Sequence, residues 1–524
     1  MTRRDEKRRI AKAAGIMSVA TFISRILGYV KDMILANFFG ATGIADTFFV
    51  AFRIPNLLRE LFAEGSMSSA FIPVLTEYQT KHGIEEAKRL VRITFTFILL
   101  FVGSICVLGI IFAPELVTAI APGFVNMPDK FSMTVLLTRV MFPFLLFISL
   151  AALSMGALNV KRTFFVPALA PAMLNITIII VVIMFAGKMA QPIVAVAIGV
   201  ALGGFVQFAF QMPSFLKNGY SLKPAYDFKH EGLKRMSLLI MPATMGMAVA
   251  QINIFVSTIL ASYLPEGSIT YLYYSMRLVQ FPVGIFGVAM GMAVLPILSE
   301  HAVKGDYEKL RDDFSFALRL LFFITIPAMA GLIALREPIV NILFQRGKFD
   351  YAATVGTAQA LLFYSIGIWA IVGVRVVTSS FYSMQDTKTP VKVAIVALAT
   401  NVLLSVILMN PLKHSGLALA NALASGVNFI LLFYFLRRRL KRVDAERIFR
   451  SFIKTIFASF IMGIIGWIIL HGELWQINGR TLIKAFYLSG TIIICIGVYL
   501  FLSYLLKSEE IYYMIGTIKQ RFRK

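Results

Sequence analysis

The sequence predicts an all-α integral membrane protein of about fourteen transmembrane helices. These are expected to form two pseudo-symmetric six-helix lobes around a central cavity, with two extra helices at the C-terminal end. Three observations carry the prediction: an apolar composition, long apolar stretches from end to end, and an internal repeat. Of the 524 residues, 58% are hydrophobic and 15% charged, and the mean hydropathy is +0.79. A soluble chain of this length needs far more polar surface to cover its core. The apolar stretches each supply the roughly 20 helical residues that cross a hydrocarbon layer. Segments such as ITIIIVVIMFA at 176–186 are continuously apolar, whereas the strands of a membrane barrel alternate apolar and polar residues. The spans therefore read as helices.

Taken in order, the apolar cores fall at 13–38, 46–75, 89–113, 132–157, 163–186, 191–215, 234–262, 269–299, 314–335, 354–383, 389–410, 415–437, 452–471 and 482–506. The first follows the basic start TRRDEKRR and carries charges inside it, so it reads as a first helix and not as a cleaved signal. Basic connections then alternate with poorer ones. The N-terminus, 76–92, 160–162, 217–235, 300–318, 385–392, 437–454 and the tail KQRFRK are basic, while 38–45, 187–191 and 263–268 hold few Lys or Arg. The positive-inside bias places both termini in the cytoplasm, and an even number of spans agrees with that. The net charge of +24 is thus read as anchorage to an anionic leaflet, not as a nucleic-acid surface. Cys106 and Cys495 lie inside apolar runs and read as inert buried thiols.

The repeat is visible in short matches. SSAFIPVLTEY at 68–78 parallels GMAVLPILSEH at 291–301, with Pro73 matching Pro296, and the same offset of 223 maps Pro167 onto Pro390. LANFFG at 35–40 also parallels LASYLP at 260–265. The division that follows is 1–220 for an N-terminal lobe with a cationic cavity and 221–440 for a C-terminal lobe. Residues 441–524 hold helices thirteen and fourteen, outside the repeat, and a basic tail. An even number of spans separates the copies, so both keep one topology, a parallel repeat suited to alternating access. The plain alternative is an old duplication that transports nothing.

Ionisable residues at membrane depth cost roughly 2.5–3.5 kcal/mol each on insertion scales and are expected to face a cavity. They concentrate in the first two spans. The first holds Arg25, Lys31 and Asp32, with Arg25 and Asp32 two helical turns apart on one face. The second holds Asp46, Arg53, Arg59, Glu60 and Glu64, of which Arg53, Glu60 and Glu64 share a face. Pro55 is expected to bend this helix or open its hydrogen-bond ladder. Arg139, Arg277 and Arg375 stand in later spans. Guanidinium groups bind phosphate in bidentate fashion and stay charged in any environment, so the pattern points to a cavity for an anionic substrate. The alternative for each cation is a snorkelling anchor or an ion pair between helices.

Catalytic signatures are absent from the sequence: no GxSxG, HExxH, Walker motif or Cys/His ligand cluster. The histidines His82, His230, His301, His414 and His471 fall in or near loops and read as solvated. No catalytic residue and no cofactor is expected, and ion or voltage coupling remains as the driver.

At this point the residues resemble a known family. SRILGYVKDMILANFFGATGIADTFFVAFRIPNLLRELFAEGSMSSAFIPVL at 24–75 is similar to the N-terminal signature of the MurJ (MviN) lipid II flippases. YLYYSMRLVQFPVGIFGVAMGMAVLPILS at 271–299 and FYSMQDTKTPVKVAI at 381–395 resemble further motifs of that family, which lies in the multidrug/oligosaccharidyl-lipid/polysaccharide exporter superfamily. The resemblance implies a flippase of the bacterial cytoplasmic membrane. Its substrate would be lipid II, the undecaprenyl-diphosphate-linked peptidoglycan precursor, carried from the inner to the outer leaflet. It implies substrate-cavity cations at Arg25, Lys31, Arg59 and Arg277 and acidic partners at Asp32, Asp46 and Glu64. Family members usually carry Arg where this chain has Lys31, which keeps the charge and loses the fork. The extra helices are expected to form a groove for the polyprenyl tail. Some members bind sodium, for which Asn253, Asp386 and Asn401 are the candidate residues here. Partners beyond lipid II and the bilayer would come from the wall-building machinery. Another polysaccharide-lipid or drug exporter of the superfamily is the alternative, together with a membrane glycosyltransferase or a scaffold.

Overall fold

The computed structural model describes residues 3–60 and 70–522, and their side chains except those of 3–14, 16, 18, 241–250, 517, 518, 521 and 522. Every regular element among the described residues is helical. The chain divides into two compact units, Met1–Tyr263 and Leu264–Lys524.

The first unit opens with α1 (Arg3–Phe39) and α2 (Gly43–Arg59), joined by a tight reversal. Gly40 takes φ of +63, the left-handed conformation that closes a helix and suits glycine. Thr42 then caps α2: its hydroxyl donates to the Phe39 carbonyl at 3.0 Å and accepts from the Ala45 N–H at 3.4 Å. α3 (Ile72–Lys81), α4 (Ile84–Ile111) and α5 (Ala113–Ile120) follow, then α6 (Pro128–Met141), α7 (Pro143–Val160), α8 (Phe165–Phe185), α9 (Ile193–Ala209), α10 (Met212–Lys217) and α11 (Glu231–Ser262). α8 packs between α1 and α9, α7 between α4 and α9, and α2 against α6. Phe71, Leu75, Leu90, Leu153 and Phe215 belong to its main apolar core. Pro55 does not stop α2, which runs through it; the first departure from α-helical hydrogen bonding comes at Glu60.

The second unit comprises α12 (Ser268–Pro282), a π-helical turn at Val283–Gly287, α13 (Val288–Lys304), α14 (Tyr307–Ala334), α15 (Arg336–Phe344), α16 (Tyr351–Ile366), α17 (Ile368–Ser383), α18 (Lys388–Leu440), α19 (Ala445–Leu470), α20 (Thr481–Leu505) and α21 (Glu509–Phe522). α17 packs against α13, α14 and α18, α12 against α16, and α19 between α14 and α20. α18 is two helical segments meeting at Lys413, whose φ and ψ are 51 and −132. Close packing supports that reversal, since a Cβ on Gly416 would lie 2.2 Å from the Leu408 carbonyl oxygen. His414, expected to be solvated, is buried at this bend and bonds the Gly356 carbonyl at 3.0 Å.

Helix ends recur at one spacing. α1 and α11 end at Phe39 and Ser262, and α3 and α13 at Lys81 and Lys304. α4 and α14 run Ile84–Ile111 and Tyr307–Ala334; α5 and α15 begin at Ala113 and Arg336; α6 and α16 at Pro128 and Tyr351; α7 and α17 end at Val160 and Ser383; α8 and α18 begin at Phe165 and Lys388. Each pair is 223 residues apart. Even the turn before the last pair is reproduced. Arg162 and Gln385 both take φ of +60, and the next N–H reaches back five residues in each case, from Thr163 to Leu158 and from Asp386 to Phe381, at 2.9 Å. By this spacing α11 is the counterpart of α1, although its contacts group it with the first unit.

Ten of the described helical segments are long and apolar enough to cross a membrane. The expected spans outside that set fall on α1, which carries internal charges, on the α2–α3 stretch, on α11, and on the second half of α18. Large apolar side chains stay exposed along the C-terminal helices, Phe460 at 63%, Ile493 at 70% and Phe501 at 62%. Water would penalise such a surface and lipid would not.

Candidate functional site

The residues expected to form the site fall on three helices, and the structure provides most of them with partners. On α1, Arg25 is exposed, while Lys31 and Asp32 form an ion pair at 3.2 Å with the Asp32 side chain fully buried. A carboxylate removed from water in this way must be paired to stay charged. On α2, Asp46 lies in the first turn and is buried, so the positive end of the helix dipole favours its charge. Its partner is Lys130 of α6 at 3.6 Å, itself only 8% exposed and seated over the Phe124 ring at 4.4 Å. Composition of the first two spans does not reveal Lys130, because it opens the fourth span 84 residues away from Asp46.

At the other end of α2 a polar chain forms around Arg59. Its Nε donates to the Asn56 side-chain oxygen at 3.1 Å, and its terminal nitrogen lies 3.8 Å from Glu60. The Asn56 amide donates to one Glu60 oxygen at 3.0 Å, and Gln251 of α11 donates to the other at 2.6 Å. Glu60 thus serves as a hub, facing a terminal nitrogen of Arg59 while Asn56 holds the guanidinium at Nε. Asn56 and Gln251 were not among the expected residues; Asn56 sits at i−3 and i−4 from Arg59 and Glu60, the spacing at which helical side chains meet. Arg53 is half-buried on the same helix. Glu64 lies outside the described residues. Arg277 is half-buried on α12 of the second unit.

Two other cations have different surroundings. Arg139 donates from Nε to the Ile110 carbonyl at 3.2 Å, which places a positive charge at the C-terminus of α4 and satisfies one of its open carbonyls. Arg375 is exposed on α17 beside Gly287 and Gly291.

Of the sodium candidates, Asp386 has another use. Its carboxylate accepts from the N–H of Lys388 at 3.1 Å and from the N–H and hydroxyl of Thr389 at 3.0 and 2.8 Å, and it pairs with Arg439. Burial pushes this carboxyl up, but the Thr389 bonds, Arg439 and the Lys388 N–H outweigh it and hold it below the ordinary range. This is a helix cap with its oxygens occupied, and it does not fit a sodium ligand. Asn401 is buried farther along α18, about 20 Å from the start of that helix at 1.5 Å per residue, so one ion does not reach both. Among the described residues no group of three or more His, Cys, Asp or Glu side chains could hold a metal. Cys106 and Cys495 are buried free thiols, as expected.

The family model for "Lipid II flippase MurJ" matches residues 35–488. The chain belongs to the lipid II flippase MurJ family. A probable lipid II flippase MurJ from Vibrio cholerae is 35% identical over 478 residues, covering 90% of each chain. A lipid II flippase MurJ from Burkholderia cenocepacia is 35% identical over 452 residues, 85% of this chain and 88% of the relative. Among solved structures, a lipid II flippase MurJ in an inward closed conformation superposes with a TM-score of 0.77 at 29% identity, over 93% of this chain and 98% of that one. An inward-facing MATE transporter of the MOP superfamily shares the fold at TM-score 0.66 and 14% identity, over 82% and 98%. MurJ membership and the apolar helices together make this a multi-pass membrane transporter and not an enzyme.

Proposed function

We propose that this chain is a lipid II flippase that carries the undecaprenyl-diphosphate-linked peptidoglycan precursor from the inner to the outer leaflet of the bacterial cytoplasmic membrane by alternating access, with both termini in the cytoplasm. The observation that carries the reading is a match over about nine-tenths of the chain to relatives named lipid II flippase MurJ. Arg25, Lys31, Arg59 and Arg277 are the cations that the family resemblance assigns to the diphosphate, and the proposal keeps them. The partners found for Lys31 and Arg59 support this: Asp32 and Glu60 hold positive charge at membrane depth when no substrate phosphate is there to do so. Arg59 carries the planar guanidinium fork that suits a bidentate pair with phosphate. Lys31 offers a point charge in place of that fork.

An inside-negative potential favours outward movement of an anion by roughly 2.3 kcal/mol per charge per 100 mV, and a membrane potential or an ion gradient, sodium included, is the proposed driver. A drug exporter of cations is not favoured, since it calls for an acidic cavity. The test is translocation of fluorescent lipid II in vesicles containing the purified chain, with a reducing agent quenching only the outer-leaflet probe. Transfer dependent on the chain, and slowed at least tenfold by Arg59→Ala, supports the reading. Transfer equal to that of protein-free vesicles, from a chain shown to be folded, contradicts it.

A further inference from the structure

A second charged feature lies in the second unit and is lined by none of the cations named in that proposal. The end of α18, the start of α19 and the start of α21 enclose a pocket of about 520 Å³. Seven cations and four carboxylates line it, an excess of three positive charges. The pairings show where that excess sits. Glu509 accepts from Arg319 at 2.8 Å and Arg447 at 2.6 Å, Glu510 accepts from Arg319 at 2.9 Å, and Glu446 pairs with Arg450 at 2.9 Å. Arg437, Lys441 and Arg442 are exposed at the rim with no carboxylate in ion-pair range among the described residues, and Lys454 reaches only the Lys507 carbonyl at 3.3 Å.

The backbone adds donors. Asp444 stands at the N-cap of α19, yet its φ and ψ of 45 and 40 turn it left-handed and its side chain makes no cap hydrogen bond. The first turn of α19 therefore lacks the usual side-chain acceptor for its N–H groups, and its residues Asp444, Ala445 and Glu446 line the pocket. A helix start lacking its own cap, beside three uncompensated cations, presents donors and positive charge to an anion. Next to it, α19 leaves Phe449 64%, Ile453 48%, Phe457 53% and Phe460 63% exposed, an apolar face starting at the pocket rim.

We infer that this pocket binds a phosphate ester, with the head group of an anionic phospholipid as the occupant whose acyl chains follow the exposed face of α19. It is separate from the cations proposed to meet the transported diphosphate and does not depend on that reading. The experiment uses the full-length chain in nanodiscs of phosphatidylcholine, titrated with phosphatidylglycerol or, separately, with inorganic phosphate, and follows thermal stability and lipid retention by native mass spectrometry. The variant is Lys441→Gln/Arg442→Gln; the control, Lys223→Gln/Lys229→Gln, removes the same charge from exposed positions of the first unit.

The inference expects a phosphatidylglycerol-dependent stabilisation that the control keeps. Apparent affinity should fall about thirtyfold in the pocket variant, as the loss of two cations near an anionic surface implies. A shift with inorganic phosphate alone, lost in the same variant, would keep the phosphate chemistry and assign the site to a soluble ligand. Equal responses of pocket variant and control, or no response to either ligand, would overturn it.

Discussion

The buried Arg319–Glu510 pair sets up a prediction whose size follows from the structure. Arg319 of α14 is 5% exposed in its side chain and Glu510 of α21 is 2% exposed, so both charges have left water to meet. Replacing Arg319 by Met keeps the bulk and removes the cation. Breaking one partner of a buried pair costs about 3–5 kcal/mol, because the other charge is left uncompensated. Glu510 retains hydrogen bonds from Ser451 at 2.9 Å and Ser508 at 2.5 Å, and Glu509 retains Arg447, which places the cost at the lower end, about 3 kcal/mol. The pair itself is imperfect, since the buried Arg319 Nε has no partner among the described residues. The double change Arg319→Met/Glu510→Gln should therefore recover most of the loss and end within about 1 kcal/mol of the wild type, as replacing both members of a buried pair commonly does. The assay is a double-mutant cycle on denaturant unfolding of the detergent-solubilised chain, read by hydrogen exchange across α21. If the two single losses simply add in the double variant, the pair is not coupled and the reasoning fails.

Two further predictions concern the C-terminal helices α20 and α21. Lys484 is buried and donates to the Asn341 side-chain oxygen at 3.0 Å and the Ile477 carbonyl at 2.6 Å; Lys484→Met should cost about 1–3 kcal/mol for each acceptor it strands and raise hydrogen exchange in 471–480, and unchanged exchange there would refute the clasp. The hydrogen bond from Arg447, and then that from Arg319, hold the Glu509 carboxyl below its ordinary value of 4.5. A depressed carboxylate contributes stability above its unfolded pKa and loses it as pH falls through the folded one, so α21 should loosen only below about pH 4.5, an effect kept small by the 56% exposure of Glu509. Proteolysis of α21 that begins at neutral pH would contradict this sign.

The repeat was legible because proline and small-residue turns recur in sequence at the same spacing as the helix ends: Pro167 and Pro390 mark the third residue of α8 and of α18. Periodicity and hydropathy place helices well, since lipid demands long apolar runs. They do not name partners. Lys130 for Asp46 and Gln251 for Glu60 come from helices distant in sequence, and nothing local distinguishes them from other polar residues. His414 misled for a related reason: its Lys413 neighbour and Pro411 read as a loop, whereas the chain reverses there inside packed helices. Asp386 could have been read correctly, because Asp followed three residues later by Thr389 at the start of an apolar run is a helix-start pattern.

The central claim is tested most directly in a bacterium depleted of its own lipid II flippase, by expressing this chain beside Arg59→Ala and Arg277→Ala at matched membrane abundance. The account predicts that the wild type restores growth and that both variants fail while lipid II accumulates in the inner leaflet. Full rescue by both variants would contradict the cationic site, and failure of a stably inserted wild-type chain would contradict the transport function itself.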